Sequence, residues 1–174
     1  MKTTDFAGYL TGYLSVYLPG IRNLSPHTIA SYRDTFKLFL TFCQDEKYIS
    51  PECLTLSHID NDLVLEFMTW IEAARKCSIA TRNQRLAAIH AFFRYVQAEM
   101  PERLLMHQRI LAIPLKKTGK PAISYLTTEA LESILKQPDR NTPAGRRDLL
   151  VLTVLYDSGA RVSELTDLLV RDVR

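Results

Sequence analysis

At 174 residues, 47% apolar and 24% charged, the chain has the composition of an ordinary folded protein of one domain or slightly more, which excludes a wholly disordered chain. Its longest apolar run, residues 149–156, is broken by Thr153 and too short to span a bilayer, and MKTTDFAGYL lacks the apolar stretch of a secretory signal. Net charge is only +3, and Cys43, Cys53 and Cys77 form no CxxC pair, so a cytoplasmic protein with reduced thiols is expected.

The first predicted element has apolar residues at 6, 9, 10, 13, 14 and 17, a helical stripe with Asp5 placed as its N-cap and Pro19-Gly20 as its end. Ser25-Pro26 then supplies a cap and a first-turn proline. Ile29, Tyr32, Phe36, Phe39, Leu40 and Cys43 follow on one face of a second helix, of about 18 residues. The opposite face carries His27, Ser31 and Asp34, flanked by Thr28 and Lys37. A third helix is expected within IDNDLVLEFMTWIEAARK, burying Val64, Phe67, Met68 and Ile71. A fourth spans roughly residues 80–97, with Leu86, Ile89, Phe93 and Val96 inward and Thr81, Gln84 and Ala88 outward beside Arg85. Four helices with short connections make a bundle that ends near Met100-Pro101.

Residues 101–125 are punctuated by Pro101, Pro114, Gly119 and Pro121, and PLKKTGKPAI carries three lysines and no acid. This reads as a basic linker around a short helix near residues 102–110. Thr127 and its neighbours start a further short helix through Lys136. Residues 146–157 then form a helix apolar on almost every side, which belongs in a sizeable core and would bury Tyr156. The division expected is 1–112, a linker at 113–124, and a second unit at 125–174, too small for an independent domain.

Charge is segregated. Residues 44–72 hold seven acids against one lysine, while residues 73–117 hold nine Lys/Arg against two acids. Such a split builds either a phosphate-attracting face or merely a solvated helix surface. His27, His58, His90 and His107 show no ligand spacing among themselves or with the cysteines, so a metal is not expected. Near the C-terminus, Gly159 is placed as a left-handed helix cap, and Arg161 lies three residues before Glu164 on the same side of the next turn. Alone, that pair reads as a surface salt bridge; the alternative is a guanidinium fork held for phosphate oxygens.

The string LYDSGARVSELTDLLVRDV resembles the first catalytic-arginine motif of the tyrosine recombinases, the phage-integrase family. SPHTIASYRDTFKLFLTFC resembles the second helix of that family's core-binding domain and SIATRNQRLAAIHAFFRYV the fourth. The Pro/Lys linker before YLTTEALESIL resembles the approach to its catalytic domain. The resemblance implies an all-α fold: a four-helix core-binding (SAM-like) bundle, a linker, and the first helices of an incomplete integrase catalytic domain. It implies strand cleavage and rejoining of double-stranded DNA through a 3′-phosphotyrosine, without metal or cofactor, in a tetrameric synapse of the complete enzyme. Arg161 would neutralise charge on the scissile phosphate, supported by Glu164. The second and fourth helices would face the major groove through His27, Thr28, Ser31 and Lys37, and through Thr81, Gln84 and Arg85. Lys116, Lys117 and Lys120 would follow the DNA backbone. In the family the remaining catalytic groups, including the tyrosine nucleophile, come after this motif. The last tyrosine here, Tyr156, precedes Arg161. The expectation is therefore a fragment that binds DNA without cleaving it. Other readings left open are a catalytically silent DNA-binding regulator and a helical protein-interaction domain.

Overall fold

The computed structural model describes residues 3–119 and 125–172, which fall into two compact units, 1–119 and 120–174. Every regular element among the described residues is helical, and none of these helices is long and apolar enough to cross a membrane.

In the first unit, α1 (Asp5–Gly12) begins under the hydroxyl of Thr4, which accepts the Ala7 N–H, rather than under Asp5. Asp5 has a different task. Its carboxylate accepts the backbone N–H of Leu56 at 2.9 Å and so ties the helix start to a distant loop. Nor does the winding stop at Pro19. It widens into a π-helical segment, Tyr13–Ile21, with Pro19 inside it. In an α-helix a proline ring collides with the carbonyl four residues back. The wider turn shifts pairing by one residue, as in the Arg22 N–H bonded to the Tyr17 carbonyl at 3.0 Å.

α2 (Pro26–Lys47), α3 (Asn61–Ala73) and α4 (Ile79–Glu99) follow, each capped by a side chain: Ser25, Asp60 and Ser78. α5 (Leu104–Leu111) packs onto α4, burying His107 and Ile110. The core is strongly aromatic. Phe92 lies 5.0–5.8 Å, centroid to centroid, from Phe36, Phe93, Tyr13 and Phe6, and Phe67 sits between Phe39, Phe42 and Trp70. Burying one such ring contributes about 1.5–3 kcal/mol. At the core's edge the indole N–H of Trp70 donates to Glu46 at 3.0 Å, and Lys47 pairs with Glu66, joining α2 to α3 through polar rims.

The second unit holds α6 (Thr128–Leu135), α7 (Pro143–Ser158) and α8 (Val162–Thr166). α7 starts at Pro143, three residues earlier than the apolar pattern indicates, capped by Thr142, whose hydroxyl accepts the Gly145 N–H at 3.0 Å. Gly145 is obligatory there, because a Cβ would stand 2.0 Å from the Asp139 carbonyl oxygen. Contrary to the pattern, α7 is not enclosed. Leu150 is 64% exposed and Tyr156, expected in a core, is 62% exposed. α6 and α8 are short, and they cover only part of a helix that is apolar on nearly every side.

Candidate nucleic-acid interface and phosphate clamp

The helices α2 and α4 begin in the same way. SPHT and SIAT each place a serine cap whose hydroxyl accepts the N–H of the threonine three residues on, at 3.2 Å in both, with the two hydroxyls 3.0 Å apart in both. Ser31 and Gln84 each lie six residues past their cap, and the Gln84 amide donates to the Ser31 hydroxyl at 2.9 Å. The two helices therefore start side by side and present one surface. His27, Ser31, Asp34, Thr81, Gln84 and Arg85 line a groove of about 360 Å³ on it. The expected faces of both helices thus converge, with Thr28 and Lys37 outside the groove. The Thr28 hydroxyl meets Ser25, and Lys37 lies 3.8 Å from Asp34. Arg85 is half-buried and its Nε–H has no protein partner, so this guanidinium keeps unused donor capacity.

The linker lysines divide. The Lys116 ammonium bonds both carboxylate oxygens of Glu72, at 2.7 and 2.8 Å. Its backbone is held too. Asn83 donates its amide to the Lys116 carbonyl at 2.7 Å and accepts the Lys116 N–H at 3.0 Å. The guanidinium of Arg82, only 4% exposed, donates to the Pro114 carbonyl at 3.2 Å. Residues 113–116 are thereby fastened to α4 and α3, and Ile113 is buried. Lys117 is exposed, while Lys120 lies outside the described residues. Sequence reasoning missed Asn83 and Arg82. Both follow the Ser78 cap on the first turns of α4, but nothing in the sequence marks the linker backbone as their partner.

Two histidines lie behind this clasp. His90 bonds the Ile110 carbonyl through Nε2 at 3.0 Å, and burial holds its pKa below the ordinary value, partly offset by that bond. His107 is fully buried against Phe93 with neither ring nitrogen partnered, and burial again lowers its pKa. Both are buried packing groups that stay uncharged at neutral pH.

In the second unit Gly159 adopts the left-handed conformation (φ 63°) and turns the chain out of α7. Arg161 follows as the residue before α8. Glu164 accepts its backbone N–H at 2.8 Å and its guanidinium at 2.9 Å. Those two bonds, the backbone one first, hold the Glu164 pKa below the usual carboxylate value. The guanidinium is 82% exposed, aimed by one carboxylate and otherwise open to solvent.

Residues 10–100 match the family described as phage integrase, N-terminal SAM-like domain. Over 167 residues the chain is 40% identical to a protein of Sinorhizobium fredii named as an integrase/recombinase, y4rC, covering 96% of this chain and 50% of that one. A second protein of that organism, y4rD, also named as an integrase/recombinase, is 38% identical over 97% of this chain and 60% of its own length. Tyrosine recombinase XerC of Oceanobacillus iheyensis is 28% identical over 90% of this chain and 48% of its own. The chain thus spans about half the length of the curated relatives it matches. No solved structure matches it.

Proposed function

Since the chain belongs to the tyrosine recombinase (phage integrase) family, we propose that it is the part of a site-specific recombinase that grips duplex DNA and supplies the first arginine of the phosphate clamp. The observation that carries this reading is the Gln84–Ser31 hydrogen bond, which joins the outer faces of α2 and α4 into one surface. His27, Ser31, Thr81 and Gln84 offer hydrogen bonds to base edges, and Arg85 offers a fork for guanine or phosphate. Lys117 adds backbone affinity, with Lys120 beyond it in sequence. Lys116 already holds Glu72, so its charge serves the bundle before it serves DNA.

In the complete enzyme Arg161 stabilises charge that builds on the non-bridging oxygens as a tyrosine attacks the scissile phosphorus. Glu164 fixes the arginine's direction through its two bonds. Within these 174 residues no tyrosine follows Arg161, so the activity proposed for this stretch alone is holding DNA. Self-association into a synapse on DNA, and the tyrosine nucleophile, belong to the whole protein.

Fluorescence anisotropy of a labelled duplex across a salt series tests the grip. Arg85→Glu combined with Lys117→Glu should lower the slope of log affinity against log salt by about 1–2. An unchanged slope would remove this face from the duplex. In a full-length recombinase carrying this stretch, Arg161→Ala should abolish strand cleavage and leave duplex affinity within about threefold. Cleavage at the parent rate would end the assignment of the clamp.

A further inference from the structure

A pocket of about 120 Å³ lies in the first unit between the π-helical segment, α2 and α4, and the proposed duplex grip makes no use of it. Tyr13 lines it and is 1% exposed, yet its buried hydroxyl has no hydrogen-bond partner. A buried donor left without an acceptor weakens the fold unless a ligand or water supplies one. The Tyr13 ring stacks between Tyr17 (5.8 Å, 21°) and Tyr32 (6.4 Å, 11°), which also line the pocket. Burial first, then the neighbouring Tyr32 and Tyr17, raise the Tyr13 pKa well above its ordinary value, so this hydroxyl keeps its proton and acts as a donor.

Arg22 and Arg94 complete the polar lining. Both are exposed, and among the described residues neither makes a salt bridge. Three tyrosines and two arginines therefore line one pocket, with no carboxylate among the lining residues. The guanidiniums only donate and the phenols have hydroxyl hydrogens to give, so a lining with no carboxylate and permanent positive charge at its rim favours an anionic ligand made of acceptors. The volume suits a phosphate-sized group with a water or two and is well below the roughly 300–1,000 Å³ of drug-sized ligand sites. The π turn that carries Tyr13 and Tyr17 is itself an arrangement that recurs at functional sites.

The geometry points to a binding site for a small oxyanion, phosphate or carboxylate, gripped by Arg22 and Arg94 with the Tyr13 hydroxyl donating from within. The site stands independently of the duplex grip. Titrating the chain with inorganic phosphate, and separately with acetate, at constant ionic strength should give a saturable change in tyrosine fluorescence with at least one of them. Arg22→Gln combined with Arg94→Gln alters only exposed ends and should weaken that binding by about tenfold or more. Tyr13→Phe deletes one hydroxyl and should weaken it by about fivefold without lowering the unfolding midpoint. No saturable change with either anion up to about 10 mM, or equal binding by the double variant, would overturn the site. Adding a duplex to the phosphate-loaded chain separates the sources. Displacement assigns the oxyanion to a nucleic-acid backbone and retention assigns it to a free ion, and both outcomes support the site.

Discussion

Phe92 in the first unit is fully enclosed by four aromatic rings, whereas Leu150 in the second stands 64% exposed on a helix of comparable apolar character. Both residues lie on capped helices with apolar periodicity. What separates them is the supply of partners. α4 has α2, α3 and α5 against it, and Tyr13 and Tyr17 of the π-helical segment pack on its Phe92 and Tyr95, while α7 has two helices of eight and five residues. An apolar pattern states what a helix can bury; the neighbouring elements decide how much it does bury.

The sharpest way to break this contrast is a matched pair of truncations. Phe92→Ala should cost about 3–5 kcal/mol in urea unfolding of the first unit, and Leu150→Ala under about 0.5 kcal/mol in the second. Equal losses would show that α7 is as well packed as α4.

Acid should distinguish the units next. His90 and His107 have pKa values held below 6.5 by burial, and both lie in the first unit. Arg94 and Arg82 also lower His90, and Arg103 lowers His107 against an opposing Glu102. Below pH 6.5 the unfolded chain binds protons that the folded one refuses, so stability present above 6.5 is lost as pH falls toward the folded values. The melting temperature of the first unit should drop between pH 7.5 and 5.5, and His107→Leu should shrink that drop. An undiminished drop would assign the acid sensitivity to other groups.

A smaller effect is expected at the linker. Asn83→Ala removes both bonds to Lys116 and should cost about 1 kcal/mol. Its clearer signature is faster tryptic cleavage after Lys116 and Lys117, read against unchanged cleavage in the body of the bundle. Cleavage as slow as in the parent would mean the clasp does not restrain this segment. The smallest effect belongs to Glu164→Gln. The pair it makes with Arg161 is exposed, so the unfolding midpoint should not move, although the arginine loses its fixed direction. A large destabilisation would make Glu164 a structural residue of the second unit.

Much of the first unit is legible in its residues because its signals are local. Ser25 with Pro26 starts α2 where capping chemistry puts it, and the stripes through Phe36, Phe67 and Phe93 are buried as their spacing requires. The outer faces of α2 and α4 follow from the same period except at Ala88, expected outward but buried at 1% exposure because α4 is covered on more than one side. That Ser31 meets Gln84 does not, because relative helix position is settled by the packed aromatic layer between them. The π-helical run through Pro19 was equally invisible, since the rule that proline ends a helix assumes α pairing. Asp5 and Asn83 bond to backbone 51 and 33 residues away respectively, and no periodicity reports such partners. In the second unit, Gly159 and the Arg161–Glu164 pair could be anticipated because they lie within one turn of each other. The exposure of Tyr156 could not, since it depends on how much chain packs around α7.

The paired starts of α2 and α4 carry one more implication. Each helix N-terminus bears the equivalent of roughly +0.5 charge from its unpaired backbone amides, and neither helix has an acid in its first turn to cancel it. With the two ends side by side, the backbone opposes the negative charge that Asp34 brings to the groove by adding positive partial charge beside it. This charge has no pKa and survives every side-chain substitution that leaves the caps intact. A chain stripped of Arg85 and Lys117 should therefore retain a weak, salt-sensitive attraction for phosphate that pH does not switch off.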